Sequence, residues 1–292
     1  GSRQPVLHGG LSLDAYDNTG SILRAEGDLS IVDEQLVTNF SNAAIFGADG
    51  FTVNLQHDLQ HGNGILLAQQ RNTILALQPL LHRFSATRTE LQSGNWDSSL
   101  EMAWAQGRET SLSVLLTVED LQFDAEGYKF DGGAINISLD GWPNLSSSPA
   151  ATLSWETIDV GFPMEDVSMA FDFAISADTG EVRLHGKQLA LRLFDGNAVS
   201  DDFAWDSVSK RGHLSLDLKQ LSLNQILALE DEKLYSTGRL NGSVPIHINR
   251  GNLSIASGIV TAIDPGGFIR YEPNAAIQAT MEANAQMTVL VE

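Results

Sequence analysis

The closest approach to a metal-binding motif in this sequence is the trio His57, Asp58 and His61. Two histidines four residues apart share one face of a helix, which is the arrangement that a helical zinc site requires. Here, however, the trio ends an alternating, strand-like run and is followed at once by the turn signal Gly62-Asn63-Gly64. On an extended chain the two imidazoles would lie about 13 Å apart. We therefore expect a solvated turn and no metal site.

Residue patterns typical of catalysis are also missing. Acidic neighbours such as Asp201-Asp202 and Glu230-Asp231 could in principle act as acid and base, but adjacent residues rarely converge on one substrate. The sequence contains no Gly-x-Ser-x-Gly elbow, phosphate-binding loop or dinucleotide fingerprint. We therefore predict no catalytic residues, no cofactor and a function other than an enzyme's. An enzyme acting on glycans or lipids is the weakest alternative, because it would need polar residues converging in a pocket.

Composition narrows the class of protein further. The chain has 292 residues, of which 42% are hydrophobic and 18% are charged, so a sizeable buried surface is expected. Its net charge of −20 argues against binding to nucleic acid, since such a surface repels phosphate groups. The absence of cysteine excludes disulfides and thiolate metal sites, and it fits an oxidising compartment as well as the cytosol. No apolar run approaches the roughly 18 residues of a membrane span.

Alternation of apolar and polar residues dominates the chain and predicts strands with one dry face. Apolar residues occupy alternate positions in the segments 23–31, 51–55, 112–118, 135–139, 167–175, 189–193 and 214–218. The alternation changes phase between Trp155 and Ile158, which predicts a bulge near Thr157. Glycine-containing turn signals, often 10 to 20 residues apart, leave no room for crossover helices. The pattern therefore predicts an antiparallel meander.

Helical signals are few. The segment Ile74–Phe84 could form a short helix broken at Pro79. A second short helix, at about 222–230, has Ser222 as its N-cap and places Leu223, Ile226 and Leu227 on one side. A third is predicted in the Ala- and Met-rich segment at about 274–286.

One-sided strands can be arranged in two ways. Two sheets could pack face to face as a sandwich, or a single sheet could fold along its length and enclose a groove. Regular repetition of such strands, with few helices to cover them, favours the second arrangement. Roughly 15 strands spaced about 4.8 Å apart would make a sheet on the order of 70 Å long.

Four blocks near the end of the chain carry a family resemblance. They span residues 189–206 (LALRLFDGNAVSDDFAWD), 214–229, 238–246 (GRLNGSVPI) and 264–271 (DPGGFIRY). In this order they resemble the C-terminal part of the YdbH family, within the AsmA-like group of bacterial envelope proteins. Residues 3–165 match only in their alternation, and Asp195 stands where the resemblance leads us to expect glycine.

The resemblance implies a mainly β fold: a long antiparallel meander sheet folded lengthwise into a taco-like hydrophobic groove, with a few short helices. It also implies a non-enzymatic phospholipid conduit between the inner and outer membranes. The native protein would be periplasmic and anchored in the inner membrane outside this sequence. A small outer-membrane lipoprotein of the YnbE type would bind by adding β-strands to an open edge. The competing hypothesis is a structural or adhesive β-protein, a solenoid or sandwich with a filled core.

The chain is expected to divide into a tag scar at residues 1–2, a β-groove segment at 3–165 and the YdbH-like segment at 166–292. Acyl chains need a continuous dry surface, so the alternating apolar residues are the predicted lipid contacts. They are Ile135, Ile137, Val167, Met169, Phe171, Phe173, Ile175, Leu189, Leu191, Leu193, Leu214, Leu216, Leu218, Leu240, Val244, Ile246, Ile248, Leu253 and Ile255. Leu223, Ile226 and Leu227 are expected to cap the groove. Pro245, which has no N–H to donate, predicts an edge strand or bulge that could accept a partner strand.

Overall fold

The computed structural model describes residues 7–17, 20–45, 48–78, 89–231, 233–250, 252–255 and 257–271. The strands are β1 Leu7–Asp17, β2 Gly20–Val32, β3 Gln35–Ile45, β4 Ala48–Asp58, β5 Asn63–Thr73, β6 Thr89–Trp104, β7 Ser111–Ala125, β8 Tyr128–Asp140, β9 Leu145–Ser147, β10 Ala151–Asp159, β11 Pro163–Ile175, β12 Val182–Leu193, β13 Gly196–Ser200, β14 Phe203–Asp206, β15 Arg211–Ser222, β16 Leu234–Ser236, β17 Arg239–Asn249, β18 Asn252–Ile255, β19 Ile259–Ala262 and β20 Ile269–Tyr271. Ile74–Leu77 forms one turn of 3-10 helix, and Leu223–Ala228 forms the helix α1. The helix predicted at about 274–286 lies outside the described residues.

Eighteen of the strands form one antiparallel sheet, and β16 pairs with β20 in a separate two-stranded ribbon. From β1 to β8, each strand forms hydrogen bonds with the strands that precede and follow it in the chain. At three positions in the sheet, two short strands lie end to end in the place of one long strand: β9 with β10, β13 with β14, and β18 with β19. The sheet therefore has roughly 15 positions and extends about 70 Å across its strands. The predicted antiparallel meander is confirmed.

The strand ends form two long margins of the sheet, since antiparallel strands turn alternately on one side and the other. Margin A consists of the turns at 33–34, 59–62, 105–110, 141–144, 176–181 and 207–210. Margin B consists of 74–78, 126–127, 160–162, 194–195, 223–231 and 233–238. Margin B therefore carries both helical segments and the ribbon strand β16, whereas the described part of margin A carries only turns.

One face of the sheet is apolar from end to end, and we call it the apolar face. Directly opposed residues of antiparallel neighbours share a face, so the pairing register traces rows of side chains across the strands. The first row joins Leu11, Gly27, Phe40, Val53, Ala68, Leu100, Val114 and Leu139. The second joins Trp96, Val118, Ile135, Leu153, Met169 and Leu189, and the third joins Leu191, Ala198, Leu218, Gly242 and Val260.

Bulges bend the longer strands closer to margin B than to margin A. Positive φ angles mark them at Gly94 in β6, Asp120 in β7, Asp166 in β11 and Gln220 in β15. Each coincides with a shift in the pairing register, as expected for an inserted residue.

The phase change predicted near Thr157 is present, and the two neighbouring strands share it. Trp155 and Ile158 are both buried, so the phase of β10 does change between them. The pairing of β10 with β8 and β11 nevertheless passes Thr157 without a register shift. The neighbouring strands change phase opposite this point, with φ +63° at Gly132 in β8 and φ +48° at Asp166 in β11, so the three strands stay in register.

Three aromatic rings lie flat over glycines on the apolar face. Trp104 covers Gly64, Trp155 covers Gly133 and Phe203 covers Gly186, and a Cβ built on any of these glycines would overlap the ring. The missing side chain leaves the space that the ring fills, which compensates for the weak packing of glycine in a strand.

Substitution of one such glycine tests this packing. Gly186→Ala should lower the free energy of unfolding by about 1–3 kcal/mol, because the ring of Phe203 must move to admit the methyl group. Gly10→Ala is the control, since nothing lies within 4 Å of a Cβ at that position. Urea denaturation of both variants measures the difference, and equal midpoints would show that the ring does not depend on the glycine.

Candidate functional site

The apolar residues predicted to contact lipid all lie on the apolar face. Ile135, Met169 and Leu189 are members of the second row, and Leu191 and Leu218 belong to the third. The remaining predicted residues follow by alternation along the same strands or by register, as in the pairs Leu214↔Ile246, Leu216↔Val244, Ile246↔Ile255 and Ile248↔Leu253. The structure thus brings these side chains together on one surface, while their contact with lipid stays a prediction.

This face is only partly covered. Its most buried large residues, such as Trp96, Val118 and Phe171, lie in its middle, and most of its other side chains are half-buried. In the described part of the chain no large side chain is less than 2% exposed. A sandwich with a filled core would bury such residues completely, because protein interiors are close-packed. The arrangement therefore suits an apolar surface that is open to a ligand.

The N-terminal half of this surface was not among the predicted contacts. It includes the whole first row, from Leu11 to Leu139, together with Trp96. The alternation at 51–55 and 112–118 could have identified these residues, because it shows the same one-sided pattern as the C-terminal strands. The four blocks that carry the family resemblance lie within residues 189–271, so they do not include these residues.

Helix α1 lies at margin B between β15 and β17. The hydroxyl of Ser222 accepts a hydrogen bond from the N–H of Gln225 at 3.4 Å and caps the helix. Leu223, Ile226 and Leu227 are half-buried, and the helix packs beside β16. Their predicted role as a cap over the groove is a hypothesis that the packing of the helix permits.

The edge of the sheet lies one position beyond the strand for which it was predicted. The strand β17, which carries Pro245, is flanked by β15 on one side and by β18 and β19 on the other. Pro245 lies in the gap between β18 and β19, where a missing N–H costs no ladder bond. Among the described strands the edge is therefore formed by β18 and β19, where Leu253 and Ile255 are 73% and 63% exposed.

Asp58 and His61 form the expected turn after β4, whereas His57 lies within the strand and packs against Trp104. The carboxylate of Asp58 accepts hydrogen bonds from the backbone N–H groups of Gln60 and His61 at 2.9 Å, and it contacts the His61 ring. The N–H and then the ring of His61 are the main causes that lower the pKa of Asp58 to about 2. The described residues contain no cluster of three or more groups that could hold a metal ion.

The fold and its one dry surface define the class of protein: an extended, single-sheet β-protein with a continuous apolar face. The model of the YdbH-like family, described as intermembrane phospholipid transport protein YdbH, matches residues 3–292, and the chain belongs to that family. The match includes residues 3–165, where alternation was the only family feature recognised from the sequence. No curated protein and no solved structure matches the chain. No helix among the described residues is both long and apolar enough to cross a membrane.

An apolar fluorescent probe distinguishes the two faces. Met169→Lys places a charge in the second row and should weaken the binding of N-phenylnaphthylamine several-fold, because the ammonium group repels apolar ligands from the surface around it. Ser168→Lys is the matched control, since Ser168 lies on the opposite, exposed face of the same strand. Fluorescence titration measures both variants. Equal losses would mean that the dye does not bind the apolar face.

Proposed function

We propose that this chain is a segment of a periplasmic phospholipid conduit, in which acyl chains travel along the apolar face between the inner and outer membranes. The observation that supports this proposal most strongly is the continuity of the rows, which run from β1 to β19 through successive register pairs. The native protein would be anchored in the inner membrane outside this sequence. Membership of a phospholipid transport family supports the class of cargo.

The physical requirement for such transport is strong but non-directional contact. Burying one CH₂ group contributes about 0.8 kcal/mol, so an acyl chain lying on this surface is held firmly. A lipid that moves by one strand position exchanges one set of apolar neighbours for an equivalent set about 4.8 Å away. Its free energy therefore changes little between positions, and no polar barrier interrupts the path, because the rows contain no charged residue.

Ion pairs of the described strands lie on the opposite face of the sheet. Lys187 pairs with Asp172 at 2.8 Å, and Arg71 pairs with Asp97 at 2.9 Å, both on exposed side chains. These pairs contribute little to stability. With a net charge of −20, however, the outer face would repel anionic membrane surfaces and keep the conduit from adhering to them.

The edge formed by β18 and β19 suits the addition of a further strand. Its outer backbone groups have no ladder partner among the described residues, and its apolar side chains are far more exposed than those in the middle of the sheet. A strand from a small outer-membrane lipoprotein of the YnbE type would satisfy this backbone and extend the apolar face.

Cross-linking tests the conduit. A photo-reactive amino acid at Phe171 or Leu191 should capture phospholipid during expression in a membrane-containing host, because both positions face the rows. The same amino acid at Asp172, on the outer face, should capture none. Mass spectrometry identifies the adducts and any co-purifying lipid. Absence of lipid from both would refute the proposal.

Strand addition is tested separately. Ile255→Lys puts a charge on the apolar side of the edge and should weaken binding of the lipoprotein's soluble part about tenfold, which is about 1.4 kcal/mol. Ser254→Lys points to the other face and should leave the affinity unchanged. Calorimetric titration gives both values. If the two variants bind equally well, the partner uses another surface.

A further inference from the structure

We propose that phospholipids lie on the apolar face in one orientation, with their head groups along margin A and their acyl chains pointing towards margin B. The inference rests on the proposed function and adds to it which side of the sheet faces the polar part of the cargo. It is based on a difference between the two margins in tryptophans, in the packing of phenylalanine rings and in covering elements.

The five tryptophans divide by position. Trp96 and Trp155 are buried in the middle of the apolar face. The other three lie at margin A: Trp104 ends β6, Trp142 lies in the turn after β8, and Trp205 is near the end of β14. Trp142 and Trp205 are 50% and 37% exposed. Indole combines an apolar body with a polar N–H, so it is favoured where an apolar phase meets water.

The indole N–H groups at this margin are available to a ligand. Trp104 lies on Gly64 and stacks against His57 with ring centroids 5.8 Å apart, so its apolar surface is already packed. Among the described residues, none accepts a hydrogen bond from the N–H of Trp104 or Trp205, and the buried Nδ1 atom of His57 has no partner. Phosphate and ester oxygens of a glycerophospholipid are acceptors that could bond to such N–H groups.

Margin B has the opposite character. Phe123 stacks on Phe130 at 4.3 Å, and Phe162 contacts Phe194 at 4.9 Å, so adjacent turns are joined by apolar rings. No tryptophan lies at margin B in the described chain, and the amphipathic aromatic residues there include Tyr128 and Tyr235. The 3-10 helix also packs Ile74 against the hydrophobic cluster on this side.

This asymmetry fixes the orientation of the cargo. A head group at margin B would face phenylalanine rings and the helical segments, whereas at margin A it meets water, indole N–H groups and short turns. Acyl chains form no directional interactions, so the interactions of the polar head group determine which orientation is favoured.

Two photo-reactive phosphatidylethanolamines test the orientation, one with its diazirine on the head group and one with it at the end of an acyl chain. After photolysis on the purified protein, peptide mapping should place the head-group probe at 104–111, 142 and 205–211. The acyl-end probe should label the middle of the face and the region of Phe123 and Phe130.

The outcomes separate this inference from the proposed function. Head-group labelling at margin B, or equally at both margins, overturns the orientation while acyl labelling of the face still supports the conduit. If neither probe labels the face, both fail.

Matched variants sharpen the test. Replacing Trp104 and Trp205 together by phenylalanine keeps an aromatic ring at both positions, including the position that covers Gly64, but removes both N–H groups. Head-group labelling at margin A should then fall several-fold while acyl-end labelling persists. Phe123→Leu, at margin B, should leave head-group labelling unchanged. An unaltered pattern in the double variant would show that the indole donors do not orient the lipid.

Discussion

Pairing register is the constraint on which the rest of this structure depends. Side chains alternate between faces with a period of two, so a slip of one residue would move an entire strand's apolar set to the polar side. In a sheet of 18 strands such an error would interrupt the apolar face. Register does shift at several bulges, and there the sequence changes phase as well: Leu218 and Leu221 both face inward across the shift at Gln220. Bulge and sequence pattern thus compensate each other, and the face stays continuous.

Much of this arrangement could be predicted from alternation. In a meander each strand pairs with its neighbours in the sequence, so the local apolar pattern of a strand also determines which face of the sheet its side chains join. Segments 167–175 and 214–218 needed only their periodicity to be assigned to the correct face. Features that depend on a neighbouring strand were not predictable in this way. Pro245 shows that an N–H is missing but not which strand supplies the edge, and the phase change after Trp155 does not show that β8 and β11 change phase with β10. Asp195 stands where glycine was expected and adopts the left-handed conformation itself, with φ +54°, which Asp tolerates better than most residues.

The aromatic residues show how a sheet can keep one face both packed and accessible. Large rings standing upright would fill the space above the strands, whereas the rings of Trp104, Trp155 and Phe203 lie on glycines. The ring of Trp155 also reaches over Gly133 to contact Phe123 at 5.4 Å, so it links strands that are not neighbours. Packing of this kind supports the sheet from within one layer, and no second sheet is needed to cover it. The space above the face is thereby left free for an apolar ligand.

An open apolar face has a thermodynamic cost that a bound lipid would offset. Half-buried leucine, isoleucine and valine side chains contribute only part of their transfer free energy to folding, so the sheet relies heavily on its backbone ladders. Any ligand that binds the folded face and not the unfolded chain raises stability in proportion to its occupancy. The same surface would favour aggregation through its edge if it stood empty, and the chain's net charge of −20 opposes such association. Stability, solubility and transport thus depend on keeping charge and apolar surface on opposite faces of one sheet, which is the separation that the pairing register enforces.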